Sequence, residues 1–188
     1  MNYLEELNNT RLRQSNSMVA SISSKILQIR KESIKQSLSD LNTIEHRQDY
    51  IATIDGVMYY DDSRAENANA TWFTFENIVR PVIWIAGGND RETDFKDLKH
   101  VAKKKVKALI CIGKYHANLK NAFQKDVKEI YEVKDMEEAV DTASFLAQKD
   151  DIVLFSPACK SDKTEETFVE RGDEFTNIVK QLENECHQ

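Results

Sequence analysis

The chain has 188 residues, 40% of them hydrophobic and 31% charged, with a formal net charge of −6. That length holds one domain, or one domain plus a fragment. The acidic balance argues against nucleic-acid binding, which needs a basic surface, and no apolar run approaches the roughly 20 residues that span a bilayer.

Residues 1–45 have helical periodicity, with Met18, Ile22, Ile26 and Ile29 on one stripe and Ile34, Leu38 and Leu41 on a second. These stripes must be covered, either by the following domain or by a partner, including a second copy of the chain. The polar, acidic start Met1 to Asn9 is unlike a signal peptide.

The texture changes at Tyr50. Two β-rich runs, Tyr50 to Ile54 and Val57 to Tyr60, flank Asp55-Gly56. An Asp-Gly pair between apolar runs is a strong hairpin signal, because both positions tolerate positive φ. Asn67 to Val79 then takes a helical period, with Ala68, Trp72, Phe75 and Val79 expected on one face.

From there strands and helices alternate. Pro81 to Ala86, Val106 to Ile112, Val127 to Val133 and Asp151 to Phe155 are strands, the first closed by Gly87-Gly88. Helical patterns lie at Phe95 to Ala102, Leu119 to Phe123, Met136 to Leu146 (Asp135 as N-cap) and about Glu165 to Leu182. Ser161 or Asp162 with Glu165 could cap the last of these. The run Lys103-Lys104-Lys105 reads as a solvated helix end.

The alternation predicts an α/β fold: a mostly parallel, Rossmann-like sheet with helices on both faces and an antiparallel edge hairpin, preceded by a helical arm. Ligands bind beyond the carboxyl ends of such strands. Three segments lie there: Asp61 to Asn67, Gly87 to Thr93, and Ser156 to Ser161.

Local chemistry alone is sparse. The chain has no GxxxxGK[ST] loop, no GxGxxG, no HExxH and no GxSxG, the usual signatures for triphosphates, dinucleotides, zinc and a serine nucleophile. Cys111, Cys159 and Cys186 have no CxxC spacing; this argues for a reducing, cytoplasmic compartment and for Cys159 as a structural residue. Asp61, Asp62 and Glu66 suit the start of a helix, and capping is their default role.

The ordered set is more specific than its parts. Glu45-His46-Arg47 is followed by Asp62-Ser63-Arg64-Ala65-Glu66-Asn67, then by Ile85-Ala86-Gly87-Gly88. Next come Leu154 to Ser161, and finally Phe168-Val169-Glu170-Arg171-Gly172-Asp173-Glu174-Phe175. Together these resemble the C-terminal domain of the Mur ligases, most closely the MurD type. The resemblance covers about Glu45 to Leu182, with residues 1–45 similar to the end of the family's central domain and 46–188 to its C-terminal domain.

The resemblance implies peptidoglycan precursor synthesis, in which an acyl phosphate made from ATP is attacked by an amino acid. By position, Arg47 and Asp62 match residues on the nucleotide side. Arg64, Glu66, Ser161 and Phe168 match the side that holds D-glutamate. Two residues depart from the family's Asp-Ser-Lys-Ala-Thr-Asn motif: lysine has become Arg64, a planar fork instead of a point charge, and threonine has become Glu66. A carboxylate there should repel an anionic amino acid unless something neutralises it.

With no ATPase or UDP-binding domain in these residues, the implied reading is a free-standing pseudoenzyme that acts by binding. It needs no cofactor alone; ATP and Mg²⁺ enter only if an ATPase domain completes it. Its partner would be a Mur ligase or ATPase-domain protein, or a second copy through the N-terminal helices. The alternative is a split subunit or fragment of an ATP-dependent amino-acid ligase. A third reading gives Glu66 a cationic ligand.

Overall fold

The computed structural model describes residues 45–91, 93–115, 117–161 and 167–186. The helical arm expected over residues 1–45 lies, up to residue 44, outside them.

Six strands form one sheet. They are β1 (Asp49–Ile54), β2 (Val57–Asp61), β3 (Val82–Asn89), β4 (Val106–Tyr115), β5 (Glu129–Val133) and β6 (Ile152–Phe155), in the spatial order β1-β2-β6-β3-β4-β5. The helices are α1 (Ala68–Asn77), α2 (Lys96–Lys105), α3 (Ala117–Phe123), α4 (Met136–Leu146) and α5 (Phe168–Cys186). Among the described residues no helix is long and apolar enough to cross a membrane.

The expected hairpin is present, with Asp55 and Gly56 at φ 50° and 80°. β1 pairs antiparallel with β2, but β2 runs parallel to β6. The edge is therefore one antiparallel strand and not two. β3, β4, β5 and β6 pair parallel throughout.

The period of two in a strand splits each apolar run between two cores. Val82, Trp84 and Ala86 face α1, α2 and α3, where Phe75, Leu98 and Phe123 meet them. Ile83 and Ile85 face α4 and α5, against Ala139, Val140 and Phe175. A sheet buried on both faces explains why these strands are continuously apolar.

Local details follow the chemistry. The Asn67 side chain accepts from the Ala70 N–H at 2.9 Å and caps α1, and Asp135 accepts from the Glu138 N–H at 3.0 Å and caps α4. α1 stops at Asn77, ahead of Pro81, so Val79 falls outside it and is 95% exposed. Trp72 is also exposed; the buried face of α1 is Ala68, Thr71, Thr74 and Phe75. Periodicity placed Trp72 on this face because it weighs apolarity and cannot see that Thr71 and Thr74 have buried polar partners. The lysine run is not purely solvated, since Lys105 Nζ donates to the Phe75 carbonyl at the end of α1, a cation on the helix's negative pole.

Two strands outrun their expected ends. β3 continues through Gly87 and Gly88, at φ 138° and 136°, values that other residues rarely adopt. A methyl group on Gly87 would collide with the Ile112 carbonyl oxygen, and one on Gly88 with that of Lys160. Gly113 (φ 93°) likewise lies within β4. α5 begins at Phe168, three residues later than expected. Thr167 and Glu170 form a capping box there: the Thr167 N–H donates to the Glu170 carboxylate at 2.7 Å, and the Glu170 N–H to Thr167 Oγ1 at 3.3 Å. Asp162 and Glu165, expected in this role, lie outside the described residues.

Candidate functional site

The carboxyl ends of β2, β6 and β3 converge with the start of α5. The turn after β2 is fixed from both sides: the Asp62 N–H donates to the Phe155 carbonyl, the Ala158 N–H to the Ala65 carbonyl, and the Arg64 N–H to the His46 carbonyl, at 2.8, 2.9 and 3.1 Å. The segments 46–48, 62–67 and 156–161, far apart in sequence, are thus one scaffold.

Asp62 points into the protein. It is 1% exposed, and its Oδ2 accepts from Ser156 Oγ at 2.7 Å and Thr74 Oγ1 at 2.8 Å. Thr71 Oγ1 lies 2.9 Å from Ser156 Oγ, and Gln48 Nε2 donates to Thr74 Oγ1 at 3.3 Å. With Ser156 and Thr74 both donating to Asp62, Thr71 must donate to Ser156, which sets the direction of the whole relay. Burial raises the Asp62 pKa to about 7, against the pull of Ser156, Thr74 and the Arg47 charge.

Its neighbour Asp61 is equally buried and faces the other core. It accepts from His46 Nδ1 at 2.7 Å, the Ser63 N–H at 2.9 Å and Ser63 Oγ at 3.3 Å. Burial raises its pKa, opposed by these donors. α5 approaches this group very closely through Gly172, where a Cβ would strike His46 Nδ1, Ser63 Oγ and Asp61 Oδ2.

Of the residues expected on the amino-acid side, three come together. Arg64 is exposed, and its guanidinium carbon lies 4.9 Å from the centroid of the Phe168 ring, within cation–π range. Glu66 accepts from Arg171 Nη2 at 3.1 Å. Arg171 is 6% exposed and also donates from Nη1 to the Gly87 carbonyl at 3.4 Å; its buried Nε has no partner among the described residues. The charge of Glu66 is therefore neutralised from within the fold. Arg171 is unassigned by sequence pattern alone; its one signal is an arginine on the buried face of the last helix, one turn after Phe168. Ser161 lies at the same strand ends, just after Lys160, whose carbonyl accepts the Asn89 N–H at 2.8 Å.

Arg47, expected on the nucleotide side, lies over the Phe73 ring at 5.8 Å from its centroid. Its charge also acts on Asp62, while Asp62 itself is enclosed by hydroxyls. Cys159 is buried, with Sγ 3.4 Å from the Pro157 carbonyl. Among the described residues no three His, Cys, Asp or Glu side chains are grouped to hold a metal ion. A recess of about 250 Å³ lies elsewhere, between β2, β6 and the end of α1; it is lined by Met58, Tyr60, Ile78 and Leu154 and reaches the Asp62 relay only through Gln48 and Thr74.

Comparison with known proteins fits this arrangement. Residues 46–159, more than half of the chain, match the family model described as Mur ligase, glutamate ligase domain. The UDP-N-acetylmuramoylalanine–D-glutamate ligase of Clostridioides difficile is 39% identical over 168 residues, covering 89% of this chain and 37% of that protein. The ligase of the same name from Christiangramia forsetii is 38% identical over 167 residues, covering 89% of this chain and 38% of that protein. The chain thus spans little more than a third of the length of these curated relatives. In fold it is similar to a murein peptide ligase from Psychrobacter arcticus, with a TM-score of 0.52, 13% identity, and coverage of 76% of this chain and 30% of that one. The match runs through the turn after β2, the glycine pair of β3 and the end of β6, and on it the chain belongs to the Mur ligase family, as a C-terminal domain of the MurD type.

Proposed function

We propose that this chain holds and orients an anionic amino acid of the D-glutamate type for a MurD-type ligation in peptidoglycan precursor synthesis, and that it does not activate a carboxylate by itself. One observation carries the reading. Glu66, the substitution that should repel an anion, is neutralised by the buried Arg171, so the side chain left facing outward is Arg64, within cation–π range of Phe168. An exposed guanidinium beside an aromatic ring can receive a carboxylate in two parallel hydrogen bonds. The activating chemistry, with ATP and Mg²⁺, belongs in this reading to an ATPase domain outside these residues, and the setting is the cytoplasm.

Calorimetric titration of the 188-residue chain with D-glutamate, L-glutamate and L-lysine tests this. D-glutamate should bind best, and Arg64→Ala should weaken it at least about tenfold, or ~1.4 kcal/mol. Tighter binding of lysine would give the pocket to a cationic ligand; no heat with any amino acid would remove the reading.

A second reading, a subunit or fragment that completes an active ligase with a separate ATPase domain, is favoured by Arg47. Its side chain makes no hydrogen bond or ion pair among the described residues beyond its place over Phe73, and phosphate oxygens would suit it. Phosphate release that requires D-glutamate, on mixing with the ATPase half of a MurD-type enzyme, would support this reading. Silence from a mixture in which D-glutamate binding is shown separately would count against it.

A further inference from the structure

We infer that His46 is a positioning residue that couples the Arg47 side of the site to the Arg64–Phe168 side. The role assigned to each side rests on the proposed function; the coupling itself rests on geometry. His46 and Gln48, the two neighbours of Arg47, both adopt left-handed backbone, at φ 62° and 54°. Non-glycine residues hold that conformation only when their surroundings impose it, and here the restraints are specific. Gln48 is tied to Thr74. The His46 N–H donates to the Asp49 carboxylate, its carbonyl accepts from the Arg64 N–H, and its Nδ1 donates to Asp61. Arg47 is therefore presented by a strained turn that the His46 backbone, the His46 imidazole and Gln48 all anchor.

The same ring reaches the other side. Its Nε2 lies 3.8 Å from Asp173 on α5, and its edge meets the Phe168 ring at a centroid distance of 6.2 Å. Phe168 in turn carries Arg64. The absence of a side chain at Gly172 is what allows α5 to come this near. The charged groups facing the ring are thus Asp61 from β2 and Asp173 from α5, with Asp49 of β1 on the His46 backbone N–H and Arg47 and Arg64 on the adjoining backbone. A charged and a neutral imidazole pull differently on Asp61 and Asp173, so one ring links the turn to the helix.

The test is nuclear magnetic resonance of the full chain in an Asp62→Asn background, which removes the other titrating neighbour of Arg47. The His46 ring protons, the Arg47 Nε–Hε group and the Phe168 ring should follow one shared titration curve. His46→Asn, which keeps a donor toward Asp61 but carries no ring charge, should flatten both reporters. Asp173→Asn, at an exposed position, provides the variant whose folding is not at issue: it should displace the curves of His46, Arg47 and Phe168 by the same amount. An Arg47 signal that stays constant while His46 titrates, or an Asp173→Asn shift confined to His46, would overturn the inference; a merely structural histidine gives one of these results. Added D-glutamate should move the Phe168 signal, and the Arg47 signal only when His46 is present. If D-glutamate moves neither, the proposed function fails and the shared pH curve still decides the coupling.

Discussion

Replacing Asp62 with asparagine should make the protein more stable at neutral pH, and less so or not at all in mild acid. The side chain is 1% exposed and burial raises its pKa from 3.8 to about 7. Its native form keeps the proton longer than the unfolded chain does. The stability this confers is complete below the unfolded value, near pH 4, and is lost as pH rises through the native value, near 7. Each pH unit in that window is worth about 1.4 kcal/mol, so about three units withdraw ~4 kcal/mol. Asparagine is neutral throughout, and its oxygen can still accept from Ser156 and Thr74. Urea denaturation of both proteins at several pH values between about 4.5 and 8 measures the difference directly. The advantage of Asp62→Asn should grow across the window by ~4 kcal/mol and level off above it. A constant difference would refute the argument, and an advantage that shrinks as pH rises would mean that Arg47 and the two hydroxyls hold Asp62 ionised throughout.

Two further changes probe the scaffold. Gly172→Ala forces a methyl group into His46, Ser63 and Asp61 and should cost at least ~2 kcal/mol by chemical denaturation, with a loss of the His46 contacts in the spectrum. Glu66→Gln leaves Arg171 buried without a charged partner; because Glu66 is 30% exposed, the loss should be ~2 kcal/mol, below the 3–5 of fully buried pairs. Adding Arg171→Met to Glu66→Gln should recover part of that loss, and a double-mutant cycle with no coupling would remove the ion pair from the account.

Much of the fold was written in local patterns. Strands buried on both faces need unbroken apolar runs, and Val82 to Ala86 and Ile152 to Phe155 have them. Asp55-Gly56 and the Asp135 cap depend only on neighbours in sequence, and both formed as expected. What stayed hidden was set by distant partners. Thr71 and Thr74 are buried because Ser156 and Asp62 need donors, which apolar periodicity does not register. Gly87-Gly88 read as a stop, although the carbonyl oxygens of Ile112 and Lys160 make glycine the only residue that lets β3 continue. The condition left open at Glu66 was electrostatic. A carboxylate there repels an anion unless it is neutralised, and the partner that neutralises it, Arg171, stands 105 residues away; a charge substitution has no sign of its own until its counterion is known.

The glycine pair has a consequence for how the proposed amino-acid site can change. In the proposed site β3 ends in a floor of bare peptide: two residues without side chains, pressed against the carbonyl oxygens of Ile112 and Lys160. Nothing on that floor can be exchanged to reshape a pocket, since any larger residue meets backbone. Selectivity can be rewritten only from the walls, by the side chains that lean over from the turn after β2 and from the first turn of α5. The departures at Arg64 and Glu66 stand on one of those walls, above a base that admits no variation.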